Sequence, residues 1–398
     1  MVDSVDKSIT EKTTVEVPGA DELVQEQQEK IEKVQTEGGP VEIEMDQEGG
    51  AEVSFDPNAV TPEDGEDHFA NLAEFLDEGL LGELAQNLSD KYEEYKQSRE
   101  DWAQSYREGL DLLGFKYQRR TQPFRGASSV THPVLAEAVA QFQATAYKEL
   151  LPSDGPVRTQ ILGDVTAPKQ DQANRVKDFM NYQLMDQMKE YEPEFDQMLF
   201  YLPLSGSTFK KVYYDDLLGR AVSKFVHSDD LVVPYSATSL EDAEAVVHVI
   251  KMSENELRKQ QVSGFYRDIE LGEPPVTQNQ IKEKEQELEG VTQNGQEDMY
   301  TLLEFHMDLD LEGYEDVNPD DGEPTGIKLP YVITVDTANN EILSIRRNYE
   351  QKDPLKKKIN YFVQFKFLPG TGFYGFGLIH MIGGLTRTAT AALRQLLD

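Results

Sequence analysis

The feature that most constrains this chain is a change of hydrophobic period near residue 206. Before it, apolar residues recur every three to four positions; after it, they alternate. Between Asp90 and Phe115 the residues Tyr92, Tyr95, Trp102, Tyr106, Leu110 and Leu113 fall at helical spacing, with Gly114 as a stop. Thr131 is the expected cap of a second helix, with Pro133 in its first turn, that runs to about Leu151. A third helical stretch starts near Pro168 and sets Val176, Phe179, Met180, Leu184, Met188 and Tyr191 on one face. Pro193 is expected to kink or restart it, and Phe195, Met198, Leu199 and Leu202 continue the stripe.

Beyond residue 206 the period is 2. Thr208–Asp215, Val222–His227, Ala245–Lys251, Tyr300–Leu309, Leu329–Val335, Ile342–Asn348 and Tyr361–Phe367 read as strands, and Thr337 to Asn340 as a hairpin turn. A polar helical segment, Gln280–Glu289, lies within an insertion over 275–298, and an acidic loop spans 313–326. Helices first and mainly antiparallel strands afterwards predict an α+β fold, not a repeating βαβ one. A chain of 398 residues exceeds what one hydrophobic core usually holds, so more than one folded unit is expected. The last stripe, from Leu378 through Leu396, runs into Asp398 without a stop signal, which predicts a helix that continues in a longer reading frame.

Charge narrows the function. The chain carries 38 Lys and Arg against 74 Asp and Glu, a net charge of −36. Tight, non-specific binding of nucleic acid by the whole surface is excluded, because phosphate contacts need Lys and Arg to release counterions. Residues 1–65 hold 18 acidic and 4 basic side chains with almost no aromatics, the composition of a disordered acidic tail. With no cysteine, disulfides, thiolate metal sites and cysteine nucleophiles are excluded. No apolar run approaches the roughly 18 residues that a membrane span requires, and the N-terminus lacks a signal-peptide layout, so no membrane partner is expected.

Few residues carry chemistry. Glu304, His306, Asp308 and Asp310 alternate along one predicted strand and share a face. An H-x-D-x-D row of this kind can hold a divalent cation, which would make the chain a metal-dependent hydrolase using His306, Asp308 and Asp310. The alternation favours a plainer reading: a solvated face, with Phe305, Met307, Leu309 and Leu311 toward the core. Gly372-Phe373-Tyr374-Gly375-Phe376-Gly377 precedes the last helix but lacks the Lys-Ser/Thr of a phosphate-binding loop, and its aromatics predict packing against another surface. Lys116, Arg119, Arg120 and Arg125 form one basic cluster, and Arg346-Arg347 and Lys356-Lys357-Lys358 form two more. Runs of this sort are more often local ion pairs or solvated loops than binding sites. No catalytic, cofactor-binding or metal residue is assigned.

Several longer words occur in a fixed order. They are Pro123-Phe124-Arg125-Gly126-Ala127-Ser128-Ser129 with Pro133-Val134-Leu135, Gly206-Ser207-Thr208-Phe209-Lys210-Lys211-Val212-Tyr213-Tyr214, and Asp230-Leu231-Val232-Val233-Pro234-Tyr235. Arg346-Arg347-Asn348-Tyr349, Pro369-Gly370 with the Gly372–Gly375 stretch, and Ala391 through Asp398 follow. From about Glu66 onward the chain resembles the portal, or head-to-tail connector, proteins of tailed bacteriophages, of the podovirus-like sort. The resemblance implies a non-enzymatic structural subunit without a cofactor, in a ring of usually twelve copies at one capsid vertex of the virion, made in the bacterial cytoplasm. Its implied partners are further copies of itself, the terminase motor, scaffolding and major capsid proteins, and tail adaptors. Double-stranded DNA would pass through the channel without tight binding, on packaging and again on ejection.

On that likeness residues 66–205 are the helical part of a peripheral wing, and 206–370 its β-rich part. Residues 371–398 are then a glycine/aromatic loop and the start of a truncated stem helix, with much of the channel lining beyond Asp398. A smaller neck or adaptor protein of the virion is a further alternative, which the large strand-rich half disfavours.

Overall fold

The computed structural model describes residues 42–45, 51–54, 68–115, 121–215, 218–274, 279–290, 299–317, 324–370 and 372–398. Two units separate, Met1–Ala70 and Asn71–Asp398. Within the first, strands β1 (Glu42–Met45) and β2 (Ala51–Ser54) pair antiparallel, Glu42 opposite Ser54. The sequence Glu42-Ile43-Glu44-Met45 alternates acid and apolar residues, the period of a strand, where composition alone had suggested no element. The rest of the expected tail lies outside the described residues.

The second unit mixes helices and antiparallel strands, the α+β class expected. Helix α1 (Glu78–Ser98) starts at Asp77, whose carboxylate accepts the Gly79 amide at 2.8 Å. The chain breaks at Arg99, and α2 (Glu100–Leu110) ends in a 3-10 turn closed by Gly114 at φ 72°. The single helix expected from Asp90 is therefore two, starting earlier and broken where Arg99 turns inward. Helix α3 (Val134–Leu150) follows Pro133 without a side-chain cap. Thr131, the expected cap, instead takes a hydrogen bond from Arg394 Nη2 at 3.2 Å through its hydroxyl oxygen. Helix α4 (Ala167–Tyr182) passes through a π-turn into α5 (Tyr191–Ser205), which restarts with Pro193 in its first turn and buries Phe195, Met198, Leu199 and Leu202.

The strands form two antiparallel sheets. The smaller has the order β10 (Phe362–Lys366), β3 (Ser207–Asp215), β4 (Arg220–Val226). The larger has β5 (Leu231–Val232), β6 (Ala245–Ser253), β7 (Met299–Leu309), β8 (Leu329–Asp336) and β9 (Glu341–Arg347) in sequence order. The expected hairpin joins β8 to β9, with Asp336 accepting the Ala338 amide at 3.2 Å and Asn340 at φ 56°. Short helix α6 (Glu254–Val262) follows β6, α7 (Gln280–Glu289) packs against α2 through Ile281, and α8 (Leu378–Leu397) ends the chain.

Period-2 geometry then sorts each strand into two faces. On β7, Leu303, Phe305 and Met307 pack with Leu81, Ala85 and Leu88 of α1. The smaller sheet lies toward the other face: Phe209, Val226 and Phe362 share a cluster with Val246 of β6 and with Phe373. Phe225 and Phe365, on the far side of that sheet, meet α3 and α5 through Phe142, Met198 and Leu199. The order is thus helix, five-stranded sheet, three-stranded sheet, helices. Burying a side chain such as Phe305 or Leu303 contributes roughly 1.5–3 kcal/mol.

Two glycines fix how the last loop meets the sheets. Gly206 ends α5 at φ 88°, and a Cβ there would stand 2.6 Å from the Gly377 nitrogen. A Cβ on Gly377 would stand 2.3 Å from the Leu204 carbonyl oxygen. Backbone meets backbone at this crossing, and only glycine leaves room.

Candidate functional site

The alternating row on β7 does not face solvent as expected. Glu304 and His306 are buried, because the face bearing them is covered by β3 and β10, while Asp308 and Asp310 are exposed. Register sets His248 of β6 opposite Glu304. From β3, Lys211 Nζ donates to both Glu304 oxygens at 2.6 and 2.8 Å, and His306 Nε2 lies 2.7 Å from Oε1. His248 Nδ1 stands 3.8 Å from the same oxygen, beyond hydrogen-bond reach. Phe362 closes the cluster edge-on to both imidazoles, at 5.5 and 5.1 Å.

The charges in this cluster balance one another. Burial alone would push Glu304 up, but the Lys211 ammonium and the imidazole contact override it and hold the carboxyl well below the usual range. Burial pushes His306 and His248 down, only partly offset by Glu304, so both stay neutral near pH 7. What the arrangement does is tie the two sheets with one desolvated ion pair. Asp308 and Asp310 stay apart from it, and among the described residues no group of three His, Asp or Glu converges to hold a metal ion.

A second polar centre escaped the sequence reading. Arg99, at the break between α1 and α2, is buried. Its guanidinium donates to the carbonyls of Ser228 (2.8 Å), Leu231 (3.1 Å) and Asp229 (2.5 Å), and to the Tyr374 hydroxyl (3.2 Å). The Asp229 carboxylate is 3.4 Å away, and the Trp102 ring, itself stacked on Tyr374 at 4.8 Å, lies within cation–π distance. Phe373 stacks on Phe209 at 5.7 Å. The glycine-spaced aromatics Phe373 and Tyr374 therefore pack into this chain's own core, and the surface they meet is internal. A lone arginine in a helical stripe gives no sequence sign of such a role.

Part of the basic clusters is engaged within the chain. Arg346 lies over the Phe265 ring at 4.3 Å and donates to the Phe265 carbonyl at 3.0 Å, and Arg347 lies over Tyr314 at 5.4 Å. Lys356 pairs with Asp316 of the acidic loop. Arg125 is exposed, while Lys116, Arg119 and Arg120 lie outside the described residues. Buried Lys210 sits over the Tyr191 ring at 4.4 Å and donates to Ser223 Oγ at 3.3 Å; burial pushes its ammonium down to about 8.

Part of the exposed apolar surface is helical. On α8 the face carrying Ile379, Gly383, Thr386 and Thr390 is buried, with the Thr390 hydroxyl accepting the His132 amide at 3.1 Å. Its other face exposes Met381, Leu385 and Leu396. The stripe from Val176 to Tyr191 divides: Leu184, Met188 and Tyr191 are half-buried, Tyr191 packing with Phe195, whereas α4 buries none of its residues, and its Val176, Phe179 and Met180 are exposed. Among the described residues no helix is long and apolar enough to cross a membrane. No family model matches the chain, and no curated protein matches it.

Proposed function

We propose that this chain is a structural subunit of a bacteriophage portal ring, the conduit at one capsid vertex through which double-stranded DNA enters and leaves. The observation that carries the reading is the pairing of a chemically closed interior with apolar helix faces left open. Glu304, His306 and Arg99, the most chemically suggestive residues of the described chain, are consumed in joining sheets and loops. The exposed rows on α4 and α8 are apolar surface of the kind that subunits of a closed ring bury against one another. A net charge of −36 suits a wall that DNA slides past rather than grips. The ordered words quoted above, from Pro123 to Asp398, supply the family likeness.

Terminase, scaffolding protein and tail adaptors are the partners that go with this function, and the virion its location. The test is negative-stain electron microscopy of the natural gene product at micromolar concentration. Rings of about twelve subunits around a hole wide enough for a duplex are expected. Uniform monomers or dimers at every concentration would overturn the proposal.

A further inference from the structure

Helix α4 is held along one side by the segment that precedes it. Asn181 Oδ1 accepts the Val157 amide at 2.9 Å, its Nδ2 donates to the Val157 carbonyl at 3.3 Å, and Thr159 donates to the Ala173 carbonyl at 3.1 Å. Ala173, Lys177 and Asn181, four residues apart, are half-buried on that side. The apolar row is elsewhere: Val176, Phe179 and Met180 stand at i, i+3 and i+4 and are 43, 59 and 43 % exposed. Lys169, seven residues before Val176, and Arg175, four before Phe179, border the same row and are also exposed, Lys169 Nζ donating one of its three hydrogens to the Asp164 carbonyl at 3.3 Å. Asp171 and Asp178 fall on the opposite face by helical spacing. The outer face is therefore apolar with a basic border, in a chain whose net charge is −36.

The complementary surface lies on α3 and α5. A groove of about 520 Å³ runs between them, walled by the small side chains Ala140, Ala144 and Pro193, with Glu192 and Asp196 along its α5 edge and Lys148 at its α3 edge. The carboxylates are held in place: Glu192 accepts the Tyr147 hydroxyl, and Asp196 Oδ1 accepts Gln143 Nε2 at 2.9 Å. Each uses one oxygen in that bond.

We infer that the outer row of α4 docks into the α3/α5 groove of a second copy of this chain, Phe179 and Met180 against the alanine wall and Lys169 and Arg175 toward Glu192 and Asp196. Apolar row meets apolar wall, and the basic side chains meet the carboxylates of the α5 edge, with Lys148 left on the α3 side away from them. The contact joins two different patches, so it propagates from copy to copy and closes only as a ring or runs on as a filament. It rests on the ring reading for its closure, but not for its chemistry.

The absence of cysteine allows a clean test. Phe179→Cys and Ala144→Cys, both at exposed positions, are made as separate proteins, checked for native circular dichroism, mixed and oxidised. A disulfide-linked heterodimer that neither variant forms alone is expected, with a yield that falls as salt screens the borders. Self-linked Phe179→Cys dimers alone would overturn the inference, since the arm would then meet its own copy. Rings in micrographs without the heterodimer would overturn the arm–groove contact and leave the ring reading standing. The heterodimer without rings would support the contact and overturn the ring. Neither product would overturn both.

Discussion

The five-stranded sheet and the outer helices treat the same kind of residue in opposite ways. On β7 both faces are covered, one by α1 and the other by a second sheet, so even Glu304 and His306 are taken from water. On α4 and α8 an equally apolar stripe lies open, with Phe179 and Leu385 59 and 63 % exposed. Burial inside the chain is thus concentrated where strands from distant segments meet, and the helices added around them keep apolar surface in reserve. A monomer seldom leaves rows like these uncovered without a partner to cover them.

The comparison is most sharply broken by mutation at matched residues. Glu304→Ala, which leaves the largely covered Lys211 ammonium without its carboxylate, should cost about 3 kcal/mol in urea unfolding. Phe305→Ala should cost a similar amount, about 3–5 kcal/mol, through the cavity it leaves against α1. A loss of only a few tenths for either would mean the sheets are not the stable part.

Lys210→Met should stabilise the protein at pH 7, since the buried ammonium is there charged in folded and unfolded states alike at a desolvation cost. The folded-state value of about 8 lies below the ordinary 10.5, so the unfolded chain binds more protons and wild-type stability should rise between those pH values. The Met variant should lose that rise.

Acidification should act on the sheet interface next. His306 and His248 have folded-state values below 6.5, so the unfolded chain takes up protons first and stability should decline as pH falls below about 6.5. Glu304, held well below 4.5, adds a second decline under that pH. His306→Asn should flatten the first decline, read from thermal melts across pH. The smallest effect belongs to the outer helix: Phe179→Ser should move monomer stability by no more than about 0.5 kcal/mol while weakening assembly.

Much of the fold was legible from local pattern. Seven strands, the β8–β9 hairpin, the Gly114 stop and the α5 stripe all follow from period and turn chemistry. The capping box of α6, Ser253 with Glu256, is a local pattern of the same kind. What local pattern could not supply is which face a distant element covers. The β7 row reads as solvated because alternation cannot foresee that β10, more than fifty residues later, pairs with β3 and closes over Glu304. The α4 stripe errs the other way, since apolar spacing says a face wants cover but not whose. Arg99 gave no signal, being one charged residue in an ordinary helical run.

The central claim, that the sheets are self-sufficient and the helix faces are completed by other copies, is tested most directly by hydrogen–deuterium exchange on isolated and assembled protein. The account predicts slow exchange over β6 to β8 in both states, and strong protection of 167–182 and 378–397 only on assembly. Equal exchange of those two helices in both states would contradict it.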